Sequence, residues 1–244
     1  MSEHTPYRGA PHTENKHVLI VDDERELAEL LAVYLGNAGY HVTICGDAAC
    51  ALRTVEETTV DLALLDVMLP DASGFDVCRE IRKTHFFPII MLTAKIEDND
   101  KIFGLTLGAD DYITKPFNPL EVVARVRTQL RRASLYNNAG HAAEAAQEID
   151  IRGLVINHDT HRCQLFGEEI SLTPLEFEIL WYLAQNQGRV VSSEELFEAV
   201  WQEKYFKNNN TVMAHIGRLR DKLHEPAKHP KFIKTVWGVG YEIE

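Results

Sequence analysis

HVLIVDDE, residues 17–24, places four apolar residues directly before a run of three acids, and the first half of the chain repeats that grammar. A run this short and this rich in Val, Ile and Leu reads as a strand covered on both faces. Similar runs return at HVTIC (41–45), VDLALLDVM (60–68), FPIIMLT (87–93) and DYIT (111–114). Between them lie stretches with apolar residues at helical spacing: ELAELLAVYLGNAG (26–39), AACALRTVEE (48–57), GFDVCREIRKT (74–84), DNDKIFGLTLGA (98–109) and NPLEVVARVRTQLRR (118–132). Five strand–helix units predict an α/β domain, a five-stranded parallel sheet doubly wound by helices, over residues 17–132.

In such a sheet ligands gather beyond the carboxyl ends of the strands. The residues that end the predicted strands are Asp22 and Asp23, Asp66, Thr93 and Lys115. Three carboxylates at one sheet edge require a cation, and hard oxygen donors with room for water favour Mg²⁺. Asp66 could then attack a phosphoryl group, with Lys115 and the Thr93 hydroxyl answering the charge on its oxygens.

Outward from this unit the grammar changes twice. Residues 1–16 are polar, lack the apolar core of a signal peptide and predict a disordered extension. Residues 133–148 are small and polar and predict a linker. From 149 to 244 short strands (LVINHD, HRCQLFG, EEISL) precede three helical stretches and a closing hairpin, KFIKTVWGVGYEIE, which predicts an α+β domain. Thr173 and Pro174 open its first helix as cap and first residue. The third, TVMAHIGRLRDKL (211–223), buries Val212, Ile216, Leu219 and Leu223 along one stripe. Met213, His215, Arg218, Arg220 and Lys222 lie largely off that stripe, as insertion into a major groove requires.

The net charge of −12 argues against indiscriminate nucleic-acid coating, yet residues 204–237 hold eight basic residues against two acidic ones. That is a localised phosphate-binding face. No apolar run approaches the ~18 residues of a membrane span, so a cytoplasmic protein is expected. Cys45, Cys50, Cys78 and Cys163 form no CxxC pair and no His cluster shows metal-ligand spacing, so reduced structural thiols and no zinc site are expected.

Val21-Asp22-Asp23-Glu24, Asp66-Val67-Met68-Leu69-Pro70 with Gly74, Thr93-Ala94 and the stretch Gly108 to Phe117 resemble the receiver domain of bacterial two-component response regulators, a flavodoxin-like fold. The resemblance implies Asp66 as phosphoacceptor. It also implies Mg²⁺ held by Asp23, Asp66 and the Met68 carbonyl, with Asp22 acting mainly through water. Thr93 and Tyr112 would be the switch pair and Lys115 the phosphate partner. Thr173 to Leu180, Arg218-Leu219-Arg220 and Thr235 to Tyr241 resemble the winged helix-turn-helix of one response-regulator subfamily.

That subfamily implies a homodimer formed on phosphorylation through Lys101, Asp110, Asp111, Glu121, Arg125 and Arg127, paired as Lys101–Glu121, Asp111–Arg125 and Asp110–Arg127 between subunits. It implies promoter DNA contacted by Asn209, Asn210, Thr211, Met213, His215, Arg218, Arg220, Lys222, Lys234 and Trp237. A cognate sensor histidine kinase and RNA polymerase follow as partners.

A narrower likeness runs to vancomycin-resistance response regulators, through PIIMLT (88–93), GLVIN (153–157), NNT (209–211) and IKTVWGVGY (233–241). It implies control of cell-envelope or glycopeptide-resistance genes. Gly217 departs from the pattern, since relatives often carry a larger residue there, and residues 1–15 match nothing in the family. Two other readings compete. A phosphatase or phosphotransferase would need a general acid two residues after Asp66, where Met68 stands, so an enzyme is not expected. A constitutive or ligand-sensing dimer would leave the intact acidic set unused.

Overall fold

The computed structural model describes residues 16–94, 108–138, 148–202, 211–226 and 230–244. Five strands, β1 (His17–Val21), β2 (His41–Cys45), β3 (Leu62–Asp66), β4 (Ile89–Ala94) and β5 (Asp111–Lys115), form one parallel sheet in the order β2-β1-β3-β4-β5. Side chains alternate across a strand, so β1 sends Val18 and Ile20 to one face and Leu19 and Val21 to the other. Both pairs are fully buried, in separate cores, and each such side chain contributes about 1.5–3 kcal/mol on burial. Helices α2 (Ala48–Glu57) and α3 (Gly74–Ile81) cover one face, and α1 (Arg25–Asn37) and α4 (Pro119–Asn138) the other.

α4 continues to Asn138, past the expected domain end at 132. Strand β6 (Glu148–Ile151) begins within the last residue of the expected linker, so helix and strand take both ends of it. Lys16 belongs to the fold, pairing with Asp61 at 2.8 Å. The rest of the expected extension lies outside the described residues, as does most of the stretch 98–109.

The second unit opens with an antiparallel meander of β6, β7 (Leu154–Asn157), β8 (Arg162–Leu165) and β9 (Glu168–Ile170). Three helices follow: α5 (Pro174–Gln185), α6 (Ser193–Trp201) and α7 (Thr211–Lys222). A small sheet of β10 (Val191–Ser192), β11 (Ile233–Val236) and β12 (Gly240–Ile243) closes the unit. Thr173 caps α5 in a reciprocal capping box with Glu176. Glu176 is buried, pairing with Lys222 at 2.6 Å and Arg218 at 3.6 Å, which fixes α7 across α5. This is the winged-helix fold expected from the sequence.

One cysteine expectation is corrected: Cys45 and Cys50 are joined as a disulfide, their Cα atoms 5.5 Å apart and within bridging range. The end of β2 and the first turn of α2 fold back on each other, which a five-residue spacing does not announce. Cys78 and Cys163 are buried thiols. Among the described residues no helix is long and apolar enough to cross a membrane.

Candidate functional site

β1 lies between β2 and β3, so its acidic end stands beside the end of β3 at the point where the strand order reverses. Ligand oxygens of Asp22, Asp23 and Asp66 all lie within 4.8 Å of one another. Asp22 and Asp66 are buried, whereas Asp23 is exposed. Burial pushes the Asp22 carboxyl above its ordinary 3.8, against the opposing bonds from Lys115 and the Glu24 N–H. Lys115, at the end of β5, donates to Asp22, Glu24 and Asp66, each at 2.9 Å. Burial alone would lower its pKa; those three bonds overcome burial and raise it. Glu24 is a further partner of Lys115 to which the sequence pattern assigns no role.

This all-oxygen, acid-rich set with one exposed member fits Mg²⁺, which keeps several waters and needs only one or two protein carboxylates. Met68 follows the strand with its side chain exposed, and its N–H lies 3.4 Å from Asp66 Oδ1. No proton donor therefore occupies that place in the chain. Gly74 lets α3 start against the pocket floor. A Cβ there would stand 1.9 Å from the Asp66 carbonyl oxygen.

Thr93 is the penultimate residue of β4, and its hydroxyl donates to the Ala94 carbonyl at 2.8 Å. Tyr112 is half-buried on β5, and burial pushes its phenol above the ordinary 10. Of the expected dimer face, Lys101 lies outside the described residues. Asp110 is buried and serves its own subunit: it accepts from Arg82 at 2.6 Å and the Ile89 N–H at 2.8 Å. Asp111 pairs with Arg125 at 3.0 Å and Arg125 with Glu121 at 3.2 Å, all within one chain. Arg127 is exposed.

The set expected to contact DNA is divided. Asn209 and Asn210 lie outside the described residues. Thr211 is buried at the start of α7, Met213 is exposed, and Trp237 at the tip of the β11–β12 wing is 90% exposed. Arg220 ties α7 to the wing through the Ile233 carbonyl at 2.6 Å and Thr235 at 2.8 Å. Lys222 is held by Glu176 and stands over the Phe86 ring of the receiver. Lys234 pairs with Glu244.

His215 and Arg218 turn toward the receiver instead of solvent. Arg218 donates to the Ala109 carbonyl at 2.9 Å and to His215. His215 is fully buried and bonds to the Asp110 backbone; burial, with Arg218, Arg82 and Lys222 nearby, holds its imidazole neutral. Arg131 donates to Gln202 at 2.7 Å and Arg132 to the Val200 carbonyl, extending the same junction. The helix read as the DNA reader is thus docked beside the start of β5. Periodicity places these side chains off the helix's own core stripe, but it carries no sign of a second domain waiting there.

Residues 18–127 match a family model described as response regulator receiver domain, and residues 167–243 one described as transcriptional regulatory protein, C terminal. The chain is 59% identical to the regulatory protein VanRc of Enterococcus gallinarum, across 94% of this chain and 99% of that protein. It is 52% identical to the regulatory protein VanR of Enterococcus faecium, across 93% and 98%. Among solved structures, a cysteine-substituted mutant of RitR aligns with a TM-score of 0.71 at 29% identity, covering 94% of this chain and 99% of that one.

Proposed function

The chain belongs to the two-component response regulators that join a receiver to a winged-helix output domain, and on that premise we propose that phosphorylation of Asp66 frees the output domain to bind promoter DNA as a dimer. The Asp66 oxygen attacks the phosphorus of a kinase phosphohistidine; the phosphorus–nitrogen bond breaks as the oxygen–phosphorus bond forms, and the imidazole leaves with a proton. Lys115 moves from its carboxylate partners to the new phosphoryl oxygens. Asp23, Asp66 and the Met68 carbonyl would hold Mg²⁺, with Asp22 acting mainly through water, and the ion would supply further positive charge there. The Thr93 hydroxyl exchanges the Ala94 carbonyl for the phosphoryl group and Tyr112 turns inward behind it.

The observation that carries this reading is the burial of His215 and Arg218 against Ala109 and Asp110. Tyr112 lies two and three residues along the same strand edge, so its movement acts on the contact that holds α7. Asp111 of the expected dimer face directly follows Asp110 in the chain and pairs with Arg125, which pairs with Glu121, so that face begins next to the docking contact. Dimer and docked helix therefore compete, and phosphorylation need shift the balance by only a few kcal/mol. Identity of 59% and 52% to the Van regulatory proteins over nearly whole chains supports cell-envelope or glycopeptide-resistance genes as the target.

The test is intact mass after incubation with Mg²⁺ and acetyl phosphate, on wild type and Asp66→Ala. A gain of about 80 Da, one phosphoryl group on a nucleophilic carboxylate, is expected on wild type alone, with dimerisation and tighter promoter binding. Absence of the adduct from both this donor and candidate kinases would favour a constitutive dimer.

A further inference from the structure

No His cluster with metal-ligand spacing is expected from the sequence, yet the fold brings two histidines and a carboxylate together. His158 and His161 sit three residues apart on the turn joining β7 to β8, and Glu178 comes from the first turns of α5. One ligand atom from each lies within 4.8 Å of the other two. We propose that His158, His161 and Glu178 form a site for one divalent ion of the zinc class, separate from the acidic pocket and completed by water.

The donor set selects the ion. Two imidazoles and one carboxylate suit Zn²⁺, whereas Mg²⁺ prefers oxygen alone. Bonds of about 2.0–2.2 Å around a tetrahedral ion put neighbouring donors roughly 3.3–3.6 Å apart. His161 Nε2 and Glu178 Oε1 stand 3.9 Å apart, so closure takes a few tenths of an ångström. His158 and Glu178 are only partly buried and have room to move, while His161 is 7% exposed and fixed.

The rings are also held from behind. His158 packs on Trp181 with centroids 4.7 Å apart, and His161 on Phe177 at 4.8 Å. The two imidazoles lie 5.2 Å apart, a separation that lets one ion reach a nitrogen of each. An ion here would fasten the meander turn to α5, whose buried Glu176 anchors α7. It would also answer the charge of Glu178, which is only partly exposed.

The full chain, stripped with chelator and held in excess Mg²⁺ to occupy the acidic pocket, should be titrated with Zn²⁺ against a chromophoric chelator. One equivalent with a Kd below about 1 μM is expected. His158→Gln should weaken it at least ~100-fold and Glu178→Gln at least ~10-fold. Co²⁺ should give tetrahedral visible bands and quench Trp181 emission, both lost in His158→Gln. The metal-free melting temperature of each partly exposed variant reports its folding, and Glu178→Gln stands in if His158→Gln unfolds. The chain has eleven histidines, so weak scattered binding is no support. No equivalent tighter than about 10 μM, or a tight one that survives both substitutions, overturns the site.

Discussion

Gly74→Ala adds one carbon to the most crowded point of the receiver, and its consequence can be worked from distances. The new Cβ would meet the Asp66 carbonyl oxygen at 1.9 Å, the Asp66 carbonyl carbon at 2.9 Å and the Val67 Cα at 3.1 Å. All three are backbone atoms, so no side chain can swing away. Restoring ordinary contact requires α3 or the end of β3 to retreat by more than an ångström. That movement breaks the Gly74 N–H bond to the Val67 carbonyl, 2.9 Å long, and strains the Met68–Ser73 bridge. A lost backbone bond at about 1 kcal/mol adds to overpacking at about 1–3 kcal/mol, for a total near 2–4 kcal/mol.

The three tryptophans (Trp181, Trp201 and Trp237) all lie in the output domain. Urea unfolding followed by far-UV circular dichroism should therefore show an early receiver transition that tryptophan fluorescence follows weakly. Acetyl phosphate labelling of Asp66 should slow in parallel, because the displaced atoms are its own backbone. Gly36→Ala, in α1 with nothing within 4 Å of the added carbon, is the control and should gain up to ~1 kcal/mol of helix propensity. A Gly74→Ala protein within 1 kcal/mol of wild type and labelled at the normal rate would refute the reasoning.

Three further outcomes are expected. Burial would raise the Glu176 carboxyl, but Arg218, Lys222 and the Thr173 N–H hold it below its ordinary 4.5. Its contribution is therefore complete above pH 4.5 and erodes as pH falls through the lower folded value. Glu176→Gln should cost about 3 kcal/mol near neutrality, and fluorescence-detected urea midpoints that keep a constant gap down to pH 3 would contradict this. Arg218→Ala removes a buried charged donor from Ala109, about 1.5–3 kcal/mol of docking; hydrogen exchange at the amides of 108–112 should rise, and unchanged protection would argue against the docked arrangement. Trp237→Ala, at an exposed wing tip, should leave stability within ~0.5 kcal/mol while weakening promoter binding in gel-shift titrations; unaltered affinity would remove Trp237 from the DNA surface.

The acidic edge was legible because buried parallel strands announce themselves as short Val, Ile and Leu runs, and whatever follows each run is placed by topology. Asp22, Asp66, Thr93 and Lys115 follow from that alone. The capping box at Thr173 was legible because all its members are local. Three features were not, and each joins distant or differently folded pieces. Glu178 completes a histidine pair from another element. Cys45 and Cys50 meet through a strand–helix return. Arg218 finds its acceptor in a domain 109 residues earlier, where periodicity has nothing to say. The strand EIDI at 148–151 was hidden by two acids in four residues, since both lie on the exposed face of the meander.

Nine residues, 139–147, separate α4 from β6, so the docked helix and the face it covers belong to one covalent chain. Because one chain carries both partners, docking of α7 on the receiver is intramolecular, and such linkage gives effective concentrations on the order of millimolar. A second chain competing for the same face at micromolar concentration starts with a disadvantage of roughly a thousandfold, about 4 kcal/mol. On the proposed function, phosphorylation would have to close that gap, and each tenfold rise in protein abundance would close about 1.4 kcal/mol of it. Lengthening the tether lowers the local concentration roughly as the −3/2 power of its length. On the proposed function, adding residues between the two domains should therefore lower the activation threshold by degrees while leaving Asp66 and the exposed wing tip unchanged.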